Sequence, residues 1–461
     1  MAEKKEVKFI HGFISILSLA VVMFSATVVF GAEPHLPLIV GCVVAGIVAA
    51  TRGFKWDEIL ESMLGGIFQS LEAIIILLCI GILISTWIAS GTVPALIYYG
   101  LKVISPKIFL VAAFVICSMV SMVMGAWGAA GSMGLALMGI GQAMGISIPM
   151  IAGVIISGVY VGEQLSPFSD GVNLSASVVN VNVFDMIKKM IKTTGAVYLL
   201  TVVVYTVMGF MIPIQNADSI AANVNPLLEN LSKAYEINIF ALLPLVVMIV
   251  CIFLKVPSIP ALLCGAFVGA LQAVLMQGVK VQDIFGYVNT GYISDMGHEV
   301  LDNLLTAGGI EAMMGTISVI LIAMAFGGIM QGTGQMEAVV APIVRKIHSV
   351  GGIVALTIGS CIGVNIVLPD QYLGIMVPGQ MYGAEYDKRG IDRLYLGNIL
   401  GAGAAVTSAL IPWNTCGMYM HSILGVGAFE YLPYAVFNYS LPIIFIIYFA
   451  LFGKKKVMGT K

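Results

Sequence analysis

Long apolar runs separated by short polar or basic intervals set the pattern of this chain. Runs rich in Ala, Val, Ile, Leu, Met, Phe and Gly cover 9–31, 36–51, 65–90, 107–124, 128–142, 149–184, 194–214, 237–254, 258–277, 310–333, 351–368, 370–384, 394–425 and 433–452. A helix of about 20 such residues crosses the hydrocarbon of a bilayer, and a broken or re-entrant segment needs fewer. The pattern predicts an all-α polytopic membrane protein with about 12–14 membrane segments. The runs 149–184 and 394–425 hold polar interruptions and are expected to be broken helices. The weaker runs 128–142 and 370–384 fit re-entrant hairpins or amphipathic segments.

The pattern also repeats. LGGIFQSLEAIIILLCIGILISTWIASG (64–91) aligns with AGGIEAMMGTISVILIAMAFGGIMQGTG (307–334) at a shift of 243, and Pro167 meets Pro412 at a shift of 245. An odd number of spans between the copies inverts the second. Inverted repeats with broken helices near the midplane are a common plan for secondary transporters. The expected organisation is N-terminal helices (1–56), a first inverted repeat (57–192), connecting helices with a polar extracytoplasmic loop at 216–236 (193–299), a second repeat (300–430), and a C-terminal helix with a basic tail (431–461).

Composition agrees. Of 461 residues, 59% are hydrophobic and 10% charged, against about 25% charged in soluble domains. So little charge cannot cover a water-facing surface. With the N-terminus inside and the spans alternating, 18 of the 22 basic residues fall inside and four (Lys102, Lys107, Lys233, Lys280) outside. That bias predicts cytoplasmic termini in a bacterial or archaeal cytoplasmic membrane. Residues 9–31 read as a retained helix, since no cleavage-like site follows them. The seven cysteines lie in or beside apolar runs without a CxxC and read as packing residues. GAFVG (265–269) fits the GxxxG pattern of close helix packing, which admits a homodimer. No nucleic-acid partner and no organic cofactor are expected.

The chemistry gathers at the interruptions. In LSPFSDGVNL (165–174), Pro167 removes a backbone donor and Gly171 weakens the helix. Freed carbonyls and the hydroxyls of Ser166 and Ser169 can coordinate a cation, and Asp170 supplies negative charge at membrane depth, where a carboxylate is costly. The alternative is that Asp170 caps the next half-helix. In TSALIPWNTCG (407–417), Pro412 breaks the second copy. Thr407, Ser408, Asn414 and Thr415 offer neutral oxygens, and Trp413 could stack on an organic solute or sit at the interface. NIVLPDQYLG (365–374) is a third break, carrying Asn365, Asp370 and Gln371. Glu72 lies at the head of an apolar run, so Glu72 and Asp170 are the candidate proton carriers.

WIASGTVPALIYYG (87–100), GEQLSPFSDGVNL (162–174), LDNLLTAGGI (301–310), DQYLGIMVPGQMY (370–382) and LIPWNTCGMY (410–419) together resemble the NhaC family of sodium/proton antiporters, over roughly residues 57–440. The resemblance implies sodium or proton coupling. It extends to relatives that exchange organic anions such as malate for lactate. On the motif positions kept here it implies an ion site at Ser166, Ser169, Asp170, Asn173, Asn414 and Thr415. Thr407, Ser408, Trp413, Asn365, Asp370 and Gln371 are the candidate substrate residues. Several family positions differ. The usual G-D-K-L-S-P-L-S-D-T-T-N reads GEQLSPFSDGVN, G-T-S-W-G-T reads GAWGAAGS (125–132), and L-E-D-S-G-T reads LGAGAA (400–405). An arginine often found before the paired glycines is Ala307 here. Lost charges and hydroxyls, and the volume that glycine and alanine open, favour a larger, less charged substrate such as an amino acid or small carboxylate.

Two other classes fit less well. A channel would need a filter loop or charged pore ring, and nothing resembles either. HEVLD (298–302) nearly matches a zinc-protease pattern, but Asp302 replaces the second histidine. No enzyme is expected. The primary expectation is antiport of Na+ and/or H+ by alternating access. The alternative is ion-coupled transport of a small organic solute.

Overall fold

The computed structural model describes residues 7–456 apart from 27–29, 31, 33, 104, 167–168, 213–216, 255, 298–300, 303–304, 345–348 and 368–369. The described chain is helical, with one isolated antiparallel bridge between Tyr292 and Ala307. The first half holds α1 (Phe9–Phe24), α2 (His35–Thr51), α3 (Trp56–Gln69), α4 (Leu71–Ala89), α5 (Thr92–Val103), α6 (Pro106–Ala129), a π-helical turn (Ala130–Gly134), α7 (Leu135–Ala143), α8 (Ile148–Leu165) and α9 (Asp170–Val178). Then come α10 (Val183–Met211), α11 (Ala217–Ala234), α12 (Leu243–Phe253), α13 (Ser258–Met276) and α14 (Val281–Thr290). The second half holds α15 (Ile310–Gly332), α16 (Gln335–Val344), α17 (Val350–Val367), α18 (Gln371–Lys388), α19 (Arg393–Leu400), a second π-helical turn (Gly401–Ala405), α20 (Val406–Ser408), α21 (Thr415–Leu424), α22 (Ala428–Tyr431) and α23 (Val436–Lys456).

Five described helices are long and apolar enough to cross a membrane, within 148–165, 193–211, 259–276, 310–332 and 350–367. Three bent helix pairs meet the same length and composition together, each as a broken span or a re-entrant loop: Ile74–Ala89 with Thr92–Lys102 (67°), Asn225–Ala234 with Ile239–Cys251 (87°), and Ala428–Tyr434 with Val436–Leu451 (64°). Leu199, Val203, Phe210, Phe267, Leu275 and Ile447 are exposed on the outside. Lipid accepts such a surface and water does not. Inside, α8 is buried from Ile151 to Gln164. It lies so close to α6 that a methyl on Gly162 would sit 2.6 Å from Ser121 Cβ. Small residues at a helix crossing permit that approach.

The breaks recur along the chain, at the offsets of the sequence repeat. Gly91 (φ 78°) and Gly334 (φ 73°) hold equivalent positions in the two aligned runs, and both are left-handed glycines just before a short helix. Gly125 (φ 72°) interrupts α6. The caps of α9 and α21, Ser169 and Asn414, are related by the same shift as Pro167 and Pro412.

One element differs from expectation. The polar stretch 216–236 holds helix α11 rather than a loop. Leu227 and Leu231 are buried, so an apolar face docks although the segment as a whole is polar.

Candidate functional site

Three interrupted segments meet around the second π-helical turn. The first interruption follows α8. Ser166 (φ −92°, ψ 125°) and Ser169 (φ −72°, ψ 131°) are extended, and α9 restarts at Asp170. The cap is Ser169, whose Oγ accepts from Val172 N at 3.4 Å, so the capping role falls one residue before Asp170. The Ser166 hydroxyl donates to the carbonyl of Met122 on α6. Ser166 and Ser169 are buried, while Asn173 is exposed and donates through Nδ2 to Ser169 O at 2.9 Å. The side chains of Asp170 and Glu72 lie outside the described residues, as do Pro167, Phe168, His298 and Glu299.

The second and third interruptions interlock. Asp370 is 3% exposed. Its Oδ1 accepts from Tyr372 N (2.8 Å) and Leu373 N (3.1 Å), capping α18, and its Oδ2 accepts from Thr415 Oγ1 at 3.4 Å. Asn414 Oδ1 accepts from Cys416 N at 3.1 Å, and its Nδ2 donates to Asn365 O at 3.1 Å. Asn365 Nδ2 donates to Ala404 O (2.7 Å) and Thr407 Oγ1 (3.3 Å). Ser408 donates to Ala405 O at 2.6 Å, a bond within its own turn. Asn365, Asp370, Thr407, Asn414 and Thr415 thus form one buried network. Trp413 stands at its edge, its Nε1 donating to Ile366 O at 2.8 Å. Beyond Trp413 is a pocket of about 350 Å³ bordered by His35, Thr316, Pro412 and His421.

The π-helical turn GAGAA joins this network to the first interruption. A methyl on Gly401 would lie 2.6 Å from Gln164 Oε1, and one on Gly403 would lie 3.0 Å from Cys361 Cβ. One on Gly171 would lie 3.2 Å from Glu163 Oε1 and 3.8 Å from Ala405 Cβ. The volume expected from glycine and alanine at 401–405 is therefore filled by neighbouring side chains. Small residues here let α8, α17 and the turn approach each other.

Charge at the centre has one sign. Among the described residues, the buried charged side chains are Glu163 and Asp370, and no Lys or Arg is buried. Both acids are within electrostatic reach of the Cys416 thiol, which places them near the start of α21. Several buried oxygens, including Gln164 Oε1, Asn365 Oδ1, Gln371 Oε1 and Asn398 Oδ1, have no hydrogen-bond donor among the described residues. Each such atom costs about 1–3 kcal/mol. An acidic, acceptor-rich interior favours cations.

The family model described as "Na+/H+ antiporter family" matches residues 158–454, a range that includes all three interruptions. This chain belongs to the Na+/H+ antiporter family. The antiporter is 34% identical over 427 residues to the malate-2H+/Na+-lactate antiporter of Bacillus subtilis, covering 92% of this chain and 91% of that one. It is 32% identical over 445 residues to the Na+/H+ antiporter NhaC of Alkalihalophilus pseudofirmus, covering 95% and 96%. It is 31% identical over 440 residues to the arginine/ornithine antiporter ArcD of Halobacterium salinarum, covering 95% and 90%. The family and these relatives are antiporters, not enzymes.

Sequence reasoning missed three residues of this antiporter's interior as site candidates: Glu163, Gln164 and Asn398. The first two lie in the last turn of α8, and the signal was their position directly before LSPFSD. Asn398, in LYLGNIL, had only its polarity inside an apolar segment. Asp302 proves to serve its loop, accepting from Ser294 Oγ at 2.8 Å and Met296 N at 2.7 Å.

Proposed function

We propose that this antiporter exchanges Na+ and/or H+ across the cytoplasmic membrane, with the coupling ion held where α9 and α21 begin. The observation that carries this reading is the pair of side-chain-capped half-helices at matching repeat positions, beside an interior whose described buried charges are both acidic. Asp170, Ser166 and Ser169 hold the ion on the first side, and Asn414 and Thr415 on the second. The recurrence of breaks at the offsets of the sequence repeat supports two inverted repeats that rock about this centre, giving alternating access. The basic-residue bias supports cytoplasmic termini.

The second reading adds a small organic solute as the exchanged species. The pocket beside Trp413 favours it, because about 350 Å³ lies in the range of small-molecule sites. Relatives named for malate/lactate and for arginine/ornithine, at similar identity to the one named for Na+/H+, point the same way. Of the six candidate substrate residues, Trp413 lines that pocket, and Asn365, Asp370, Gln371, Thr407 and Ser408 do not.

The test is Asp170→Asn in proteoliposomes. Coupled flux is expected to fall at least tenfold while the protein stays monodisperse. Wild-type flux in that variant would contradict the assignment.

A further inference from the structure

Glu163 is a buried carboxylate outside the proposed sodium site. It lies in the last turn of α8, three residues before the extended Ser166, and is 5% exposed. A methyl on Gly171 would lie 3.2 Å from its Oε1, so the carboxylate rests against the first turn of α9, which Asp170 begins. Its backbone carbonyl accepts from Ser166 N at 3.3 Å. Glu163 thus meets both sides of the joint between α8 and α9. Its main chain ends one helix and its side chain touches the next.

Nothing described around it supplies positive charge. Among the described residues no Lys or Arg is buried. The titratable groups that face it are Tyr160, one turn earlier on α8, and Cys416 at the start of α21, with Asp370 on the far side of Cys416. At Gly162, α6 meets this end of α8 with Ser118 and Ser121, and the second π-helical turn meets it with Gly401 against Gln164. Asp370 is engaged differently. Its Oδ1 accepts from Tyr372 N and Leu373 N and its Oδ2 from Thr415 Oγ1, so both oxygens hold the fold together. An ionised carboxylate in a dry interior is costly, so a cation or a proton must accompany it. A second carboxylate nearby sharpens that demand, and a cation bound at one relieves the other.

We propose that Glu163 carries the proton of the exchange while Asp170, Ser166 and Ser169 hold the sodium, so that each cation's arrival releases the other. This deepens the cation-antiport reading and rests on it. Sodium at the break supplies the positive charge that lets Glu163 give its proton to water on the open side. Release of sodium favours protonation again. By linkage the two cations weaken each other's binding by the same factor. Movement of α9 against α8 changes what the carboxylate rests on, so the two conformations bind the proton differently.

The experiment compares wild type, Glu163→Gln, Glu163→Asp and Asp170→Asn in proteoliposomes. Two fluxes are read from each preparation: proton movement by a luminal pH dye, and exchange of external radioactive sodium for internal sodium. Glutamine keeps the shape of Glu163 and cannot carry the proton. Glu163→Gln is expected to lower the ratio of proton flux to sodium–sodium exchange at least tenfold. It is also expected to flatten the rise in half-saturating sodium that wild type shows as pH falls. Glu163→Asp is expected to restore much of the ratio. A merely structural residue would lower both fluxes together and leave the ratio and the pH profile unmoved, and that result would overturn the proposal. So would a wild type that exchanges sodium for sodium but moves no protons, which leaves the sodium site standing. Asp170→Asn tests the underlying reading by itself. It should lose both fluxes, and wild-type values there would remove the sodium site whatever Glu163 does.

Discussion

Asn414 performs two jobs with one amide. It caps α21 through Oδ1 and ties that helix to the carbonyl of Asn365 through Nδ2. Asn414→Ala removes both bonds, and the lost cap alone costs about 1 kcal/mol. Asn414→Asp keeps the cap and loses the donor. Thermal unfolding in detergent is expected to order the three proteins wild type, then Asn414→Asp, then Asn414→Ala. Asp370 separates structure from function differently. Asp370→Asn still offers an oxygen to Tyr372 N and Leu373 N, so folding should survive. Removing one of the two described buried charges should lower coupled flux at least tenfold, read in proteoliposomes beside a size-exclusion profile. At this scale the helix breaks were readable where polar residues stood near a proline: Ser166, Ser169, Asp370, Asn414 and Thr415 all lie at interruptions. Glu163, Gln164 and Asn398 were not readable, because a polar residue within a helical apolar run shows its inward direction only once the neighbouring helices are placed.

Among the elements, the second π-helical turn carries the tightest fit. Gly401→Ala puts a methyl 2.6 Å from Gln164 Oε1, so the amide must move. Flux is expected to fall severalfold with little change in yield. Gly162→Leu drives a large side chain into Ser121 on α6, and overpacking of this kind costs about 1–3 kcal/mol or more. Its expected result is loss of monodisperse protein. At the turn from α18 to α19, Arg393 pairs with Asp387 (2.9 and 2.6 Å) and donates to Val179 O at the end of α9 (3.3 Å). The guanidinium holds the Asp387 carboxyl below its usual range. A depressed carboxylate stabilises the fold fully above its unfolded pKa, near 3.9, and loses that effect as pH falls through the folded value. The stability difference between wild type and Arg393→Gln should thus be small, under about 1 kcal/mol, equal at pH 6 and pH 8, and shrinking only below about pH 4. The long apolar helices were legible from run length alone. Helix α11 was not, because its buried leucines are too few to outweigh Asn, Ser, Asp and Glu in a composition-based reading. The filled glycines at 401–405 were misread as open space, since a sequence shows small residues but not what packs against them.

For the whole molecule, the apolar pattern conveyed a multi-pass helical protein, and family membership followed from motifs kept at the interruptions. The substrate did not follow, because antiporters named for sodium, dicarboxylates and basic amino acids resemble this chain about equally. In the proposed exchange, buried acids without buried bases among the described residues would favour cations, and the recurring breaks would give two sides to open in turn. The most direct measurement uses proteoliposomes that hold a pH dye and receive an external sodium pulse, first alone and then with a panel of amino acids and carboxylates inside. Na+/H+ exchange requires a change of luminal pH on the pulse, alone or once one internal solute is present, and loss of that change in Asp170→Asn. A correctly folded protein that leaves luminal pH unmoved under every condition would contradict Na+/H+ exchange.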